Sequence, residues 1–283
     1  MTGAFGLSRR AALLGIGMGM GGFAIPAAVP ALLPVADDEW MTNPKRVLDT
    51  YVRVQGDLSG KVCPWRFHGS MLAVTPTEAP RVLLAIEGAE TKRVIVRDSG
   101  FEIWSKVMTL FRDPDTGEVL NGKSWKNPLT GAMNVVKPNI FGSKTLYSIA
   151  APGRIVATRL GGGANMAPPG TFELRPKFIV LGDKVEIAVE RFTPAGQRIP
   201  PTSFATNTAE LAHVRDAARP RIEAMFSGTD VVPWQGFLAM AERPGHAVWH
   251  TFGRKMEGFD GLTPEYLEQA KIHVPDVLAW ADL

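Results

Sequence analysis

The stretch FEIWSKVMTLFR at Phe101–Arg112, followed by DPDTG at 113–117, decides the predicted fold of this 283-residue chain. It is rich in β-branched, aromatic and other apolar residues and stops at a cluster of Asp, Pro and Gly, a pattern typical of a strand entering a tight turn. Similar runs predict further strands at Pro64–Val74, Arg81–Glu87, Lys92–Arg97, Met133–Lys137, Leu146–Ile149, Arg154–Thr158, Thr171–Leu181, Lys184–Phe192 and His246–Gly253. The short turns between them, including one at Gly88-Ala89, indicate an antiparallel meander.

A long antiparallel meander must hide its two edge strands, and closing into a barrel or folding into a sandwich does this. We therefore expect a mainly β fold, a single antiparallel β-barrel-like (calycin- or lipocalin-like) or sandwich domain with a few peripheral helices. A small barrel holds either side chains or one small ligand. Three helical segments are predicted, at Asn43–Val54 with Asn43 as cap, at Thr208–Phe226 as two short helices broken by Pro220, and from Thr263 to about Lys271.

The amino-terminal segment predicts export. Ser8-Arg9-Arg10-Ala11-Ala12-Leu13-Leu14 precedes a Gly- and Ala-rich apolar run, which is the pattern of a twin-arginine signal peptide. We expect residues 1–36 to be a leader recognised by the twin-arginine export machinery and cleaved near residues 31–36. Residues 37–283 would then form a single β-rich domain that is periplasmic and not membrane-embedded.

The charge and cysteine content limit which partners and which covalent links the protein can be expected to have. Residues 1–36 contain two arginines and no acid, so their removal leaves 29 basic and 28 acidic residues, a net charge of +1 against +3 for the whole chain. The basic residues are scattered singly, which argues against a nucleic-acid partner. Cys63 is the single cysteine, so no intramolecular disulfide is expected and a core position is the favoured interpretation. A homo-oligomer is left open.

Two passages carry a family likeness. One runs from Phe101 to Val136 and contains WKNPLTG at 125–131; the other runs from VPW at 232–234 to GRK at 253–255. With the segment around Tyr51–Gly56 they resemble the domain of unknown function numbered 1838, over roughly residues 43–275. The resemblance implies no activity and brings no catalytic residues with it. This sequence departs from the family pattern at Lys106 and at Lys137-Pro138-Asn139.

Familiar cofactor motifs are absent from the sequence. No GxGxxG follows a predicted strand, and no GxSxG elbow occurs. His246 and His250 lie on a predicted strand, where four residues span ~13 Å, too far for one metal ion. The segment 113–118 is better interpreted as a turn than as a calcium loop. We therefore expect no cofactor, although a metal site assembled from distant residues stays open as the basis of a metal-dependent hydrolase.

Two main functions remain. The first is a cofactor-independent lyase or isomerase that transfers a proton on a hydrophobic aromatic or phenolic substrate. Its candidate base is His68 or His250, its acid/base partner Tyr51, and its anion stabiliser Arg66 or Lys255. The second is a non-catalytic barrel that carries an apolar ligand. In either case, the candidate substrate-binding residues are Trp65, Trp104, Trp125, Asn127 and Trp234.

Overall fold

The computed structural model describes residues 39–161, 166, 168–199, 203–240 and 242–275. Ten antiparallel strands close into a barrel in the order β1-β12-β11-β10-β9-β8-β7-β6-β3-β2, so the barrel form of the predicted fold is confirmed. A separate two-stranded sheet pairs β4 with β5. The strands are β1 Cys63–Val74, β2 Arg81–Arg97, β3 Gly100–Arg112, β4 Ser124–Lys126, β5 Met133–Val135, β6 Asn139–Ala150, β7 Arg154–Arg159, β8 Gly170–Leu181, β9 Lys184–Phe192, β10 Ser203–Glu210, β11 Ala224–Val232 and β12 His246–Lys255.

The second strand is longer than predicted. The Gly88-Ala89 turn does not exist, because β2 continues through both residues. A Cβ atom on Gly88 would lie 2.0 Å from Cζ of Phe67, so the missing side chain makes room for an aromatic ring on the neighbouring strand. The glycine therefore marks a close approach inside a strand and not a chain reversal.

The helical prediction for Thr208–Phe226 is wrong except for one short helix. Residues 208–210 belong to β10, residues 224–226 belong to β11, and the helix between them is α3, Leu211–Arg215. The apolar spacing arises because Leu211, Val214 and Ile222 pack into one core cluster at the turn between the two strands. The apolar residues of this short connection are spaced as in a helix because they are buried in the same core, and not because the whole segment is helical.

Two other helices were predicted correctly. The helix α2, Pro44–Gln55, begins after Asn43, whose side chain accepts hydrogen bonds from the backbone N–H groups of Lys45 and Arg46. The helix α4, Pro264–His273, begins after Thr263, whose hydroxyl accepts from the N–H of Tyr266. A short helix α1 occupies Glu39–Thr42, and a 3₁₀ turn occupies Gly236–Leu238.

Helix α2 crosses one end of the barrel. It begins beside the β6–β7 turn, where Gly153 faces Pro44, and it packs on inward-facing residues of the surrounding strands. Its last residues meet the end of β12, where Lys255 donates hydrogen bonds to the carbonyls of Arg53 and Gly56. The helix therefore forms a floor from which Tyr51 and Gln55 face the barrel interior.

At the opposite end of the barrel, packed side chains fill part of the interior, which we call the filled side. The β4–β5 hairpin and the 3₁₀ turn pack over inward-facing residues of β1, β2, β3 and β12. Phe111 lies at the centre, 5.6 Å from the ring of Trp249 and 5.2 Å from that of Phe237. Helix α4 packs outside the barrel on β2 and β3, where the Tyr266 hydroxyl donates to the Met108 carbonyl.

The predicted leader, residues 1–36, lies outside the described part of the chain, as do residues 276–283. Within the part that is described, no helix is long and apolar enough to cross a membrane.

Candidate functional site

The barrel interior contains a cavity above helix α2. Its volume is about 510 Å³, and its lining includes Tyr51, Trp65, Glu90 and Phe226. A second cavity of about 220 Å³ lies among residues of β3, β6, β7 and β8. Tyr51, Glu90, Val189 and Arg191 line both cavities, so the two are neighbours, and we call them together the lumen.

The lumen opens where two strands part. Pairing between β9 and β10 ends at Ala188 and Thr206, although β9 continues to Phe192. The rim carries an ion-pair network in which Glu190 contacts Lys177 at 2.9 Å and Arg198 at 2.9 Å. The gap gives a small molecule a side entrance to the barrel.

Four residues form a polar cluster on the lumen wall. Lys92 donates a 2.7 Å hydrogen bond to Oε1 of Gln55 and makes a 3.1 Å ion pair with Glu90. Its ammonium group also lies 5.1 Å from the ring centroid of Trp65. Glu90 and Lys92 are two residues apart on β2, so the strand period places both on the inward face. The Lys92 charge is thus balanced within the protein.

Two tyrosines meet in the wall of the lumen. The rings of Tyr51 and Tyr147 lie 5.6 Å apart, one on helix α2 and the other on β6. Burial raises the pKa of Tyr147 well above its usual value, and the neighbouring Tyr51 adds to the effect through its charge and a hydrogen bond. The nearby positive charge of Arg191 opposes the shift without cancelling it. Tyr147 therefore keeps its hydroxyl proton at neutral pH.

Two arginines complete the wall. Arg159, near the end of β7, and Arg191, near the end of β9, place their guanidinium carbons 5.4 and 5.5 Å from the ring centroid of Phe172. The hydroxyls of Ser105 and Ser143 are 2.9 Å apart on the adjoining wall. The lumen thus joins aromatic surface to hydroxyl groups and cationic side chains.

Among the sequence-predicted site residues, Tyr51 and Trp65 line the lumen. The two histidines do not, because the side chains of His68 and His250 are exposed on the outer wall of the barrel. Both rings flank Phe252, at 6.4 and 4.6 Å between centroids, and His250 Nδ1 lies 3.0 Å from the Thr229 hydroxyl. The barrel wall therefore separates both candidate bases from Tyr51.

The two predicted anion stabilisers also lie away from the lumen. Lys255 is buried, and its ammonium donates to the carbonyls of Arg53, Gly56 and Ile222 at 2.8–3.0 Å. Burial lowers the Lys255 pKa to about 8. This lysine ties the end of β12 to helix α2. Arg66 lies on the outer face of β1 beside Gly261.

The other predicted binding residues occupy three different places. Trp104 lies on the outer face of β3, with the Lys144 ammonium 4.0 Å from its ring centroid. Trp125 is buried in the filled end of the barrel, and the Trp234 indole donates to the Arg243 carbonyl there. Asn127 is fully buried and donates to the Leu238 carbonyl at 2.5 Å while accepting from the Leu129 N–H. The structure thus brings only Tyr51 and Trp65 of the predicted set together.

Cys63 is buried in the core, as expected. Burial raises the pKa of its thiol, which keeps it protonated. Among the residues that the structure places, no group of three or more His, Cys, Asp and Glu side chains is arranged to hold a metal ion.

The lumen residues that sequence reasoning missed carried a period-2 signal. In the correctly predicted strand β9, Arg191 follows Val185, Ile187 and Val189 on one face, so its inward position was readable from alternation. Glu90 could not be found in this way, because the predicted turn at Gly88-Ala89 interrupted its strand. Tyr147 lay within a strand whose predicted length was too short to show the pattern.

Residues 60–139 match a family described as a protein of unknown function (DUF1838), which supports the resemblance over strands β1 to β5. No curated protein and no solved structure matches the chain.

Proposed function

We propose that the protein binds a small aromatic molecule in the lumen. The observation that carries this proposal is the lumen, whose larger cavity has a volume of about 510 Å³ and a lining that includes the aromatic residues Tyr51, Trp65 and Phe226. Ligand sites in proteins are typically cavities of ~300–1,000 Å³ with apolar walls and a few convergent polar groups. Aromatic rings favour stacked or edge-on contact with a flat ligand.

A blocking variant tests the proposal. Ala205 lines the cavity on β10, and Thr206 follows it on the same strand outside the cavity lining. Isothermal titration with a panel of aromatic and phenolic compounds should give binding to the wild-type protein that Ala205→Trp abolishes. Thr206→Trp, the matched control, should bind as the wild type does. Equal binding by Ala205→Trp would refute the lumen as the site.

A second candidate function is the proton-transfer enzyme, either a lyase or an isomerase, without an organic cofactor. The Tyr51–Tyr147 pair favours it, because two neighbouring hydroxyl groups beside the Glu90 carboxylate can pass a proton to or from a bound substrate. Mass spectrometry of the incubated panel should show a mass change that survives a chelator and is lost in Tyr51→Phe.

The same incubation separates the alternatives. A ligand that is retained with its mass unchanged would establish a carrier. Activity abolished by the chelator would instead establish the metal-dependent hydrolase.

We also propose a periplasmic location, reached through the twin-arginine machinery. It rests on the Arg9-Arg10 pair and the apolar run behind it. Replacing both arginines with lysines should leave the unprocessed protein in the cytoplasm, as measured by cell fractionation.

A further inference from the structure

Two cationic side chains of the lumen have no acidic partner. Arg159 and Arg191 belong to β7 and β9, on either side of β8, and both guanidinium groups lie against Phe172 of that middle strand. Within the described residues, neither guanidinium has a carboxylate oxygen inside 4.0 Å. The nearby Lys92, in contrast, is already paired with Glu90. The arginine pair thus adds positive charge to the lumen wall that no neighbouring carboxylate balances.

Both arginines line the smaller cavity, so an anion bound there would offset positive charge that no protein carboxylate balances. Guanidinium groups present a planar fork of donors that matches a carboxylate bidentately, and such charge-assisted bonds are stronger than neutral ones. Arg159 lines the smaller cavity and Arg191 lines both, so an anion held by the pair would lie in the smaller cavity, next to the larger one.

We propose that Arg159 and Arg191 bind the carboxylate of an aromatic carboxylic acid whose ring extends toward Tyr51 and Trp65. This assignment rests on the proposed function of the lumen and adds that its aromatic ligand is negatively charged. Glu90 lines both cavities and repels a dianion more strongly than a monoanion, so a carboxylate suits the site better than a phosphate monoester.

The test compares acids with their esters. Benzoate, 4-hydroxybenzoate and 4-hydroxycinnamate, each beside its methyl ester, are titrated into the purified full-length protein by calorimetry. At least one acid should bind about tenfold or more tightly than its ester, because the ester keeps the ring and loses the charge. Arg159→Met and Arg191→Met should each lower the affinity for that acid by about tenfold and change the affinity for its ester by less than about threefold.

Arg175→Met is the matched control. Arg175 also lies over a phenylalanine, with its guanidinium carbon 3.8 Å from the Phe192 ring centroid, but it pairs with Glu173 and does not line the lumen. Its replacement should leave acid and ester binding unchanged. Circular dichroism of each variant should match the wild type.

Three results would overturn the proposal. Equal binding of acid and ester, both abolished in Ala205→Trp, would remove the anion site and leave lumen binding intact. Tighter binding of phenyl phosphate than of benzoate would reassign the arginine pair to a phosphate. Binding of none of the six compounds would overturn the aromatic-ligand function together with the anion site.

Discussion

The filled side of the barrel and the lumen share the same strands but differ in what occupies the space between them. On the filled side, Phe111, Trp249 and Leu238 belong to one cluster of packed, buried side chains. In the lumen, Tyr51, Glu90 and Arg191 surround open volume. One barrel therefore divides its interior between close packing and open volume. Substitutions on the filled side should mainly change stability, and substitutions in the lumen should mainly change the proposed ligand binding.

The largest effect should come from opening the filled side. Phe111→Ala removes a fully buried ring and should lower the free energy of unfolding by ~3–5 kcal/mol, since little can collapse into the space. Phe172→Ala, the matched change in the lumen, should cost clearly less because its ring already borders the cavity. Urea denaturation of both variants checks the difference. Equal losses of unfolding free energy in the two variants would contradict the distinction between the filled side and the lumen.

The next effect concerns Lys255, which joins helix α2 to β12. Lys255→Met leaves the carbonyls of Arg53, Gly56 and Ile222 without this donor and should lower the free energy of unfolding by ~2–4 kcal/mol. Because the lysine lies outside the lumen lining, ligand affinity per folded molecule should stay unchanged. Denaturation and calorimetry on the same sample test both statements. A loss of affinity without a loss of stability would show that Lys255 takes part in binding.

The pH dependence of this variant provides its control. The folded pKa of Lys255 is lowered to about 8 from 10.5, so between these values the unfolded chain binds the proton that the folded protein has released. Wild-type stability should therefore rise relative to Lys255→Met as pH increases from 8 toward 10, by ~1 kcal/mol per pH unit. If the stability difference between the two proteins instead became smaller as pH rises, the three carbonyls would be holding Lys255 in its ammonium form in the folded state.

Gly88 tests the close packing between β1 and β2. Gly88→Ala forces a methyl group against the Phe67 ring and should destabilise the protein by ~1–3 kcal/mol. Gly236→Ala, where a Cβ meets nothing within 4 Å, is the control and should have little effect. The double variant Gly88→Ala with Phe67→Leu should recover part of the loss in thermal unfolding. Additive losses would show that the ring is not the obstacle.

The smallest effect on stability should come from the lumen arginine. Arg191→Met removes a charge that has no acidic partner among the described residues, and the free energy of unfolding should change by less than ~0.5 kcal/mol. Thermal unfolding without ligand provides the measurement. A loss comparable to that of Lys255→Met would mean that Arg191 holds the fold, and the contrast between the two interior regions would fail.

Sequence reasoning predicted an antiparallel β domain, either a barrel or a sandwich, because turn chemistry and period-2 alternation are local signals. The strand Lys184–Phe192 and the caps at Asn43 and Thr263 follow from neighbouring residues alone. The error at Gly88 has another cause, since the glycine is required by Phe67 of a different strand. Turn chemistry cannot distinguish these two uses of glycine.

The site was harder to predict than the fold for the same reason. Tyr51 and Trp65 were named from residue type, but their meeting with Arg191 depends on helix α2 crossing the barrel floor, a long-range event. His68 and His250 were named because histidine suits proton transfer, yet strand alternation places both on the outer wall. Alternation thus carried more information about the site than residue chemistry did.

Crystallography of the protein soaked with 4-bromobenzoate would test the central claim most directly, because the bromine atom reports its position through anomalous scattering. The account predicts a peak inside the barrel, with the carboxylate between Arg159 and Arg191 and the ring toward Tyr51. A bromine peak on the outer wall beside Phe252, with an empty lumen, would contradict it.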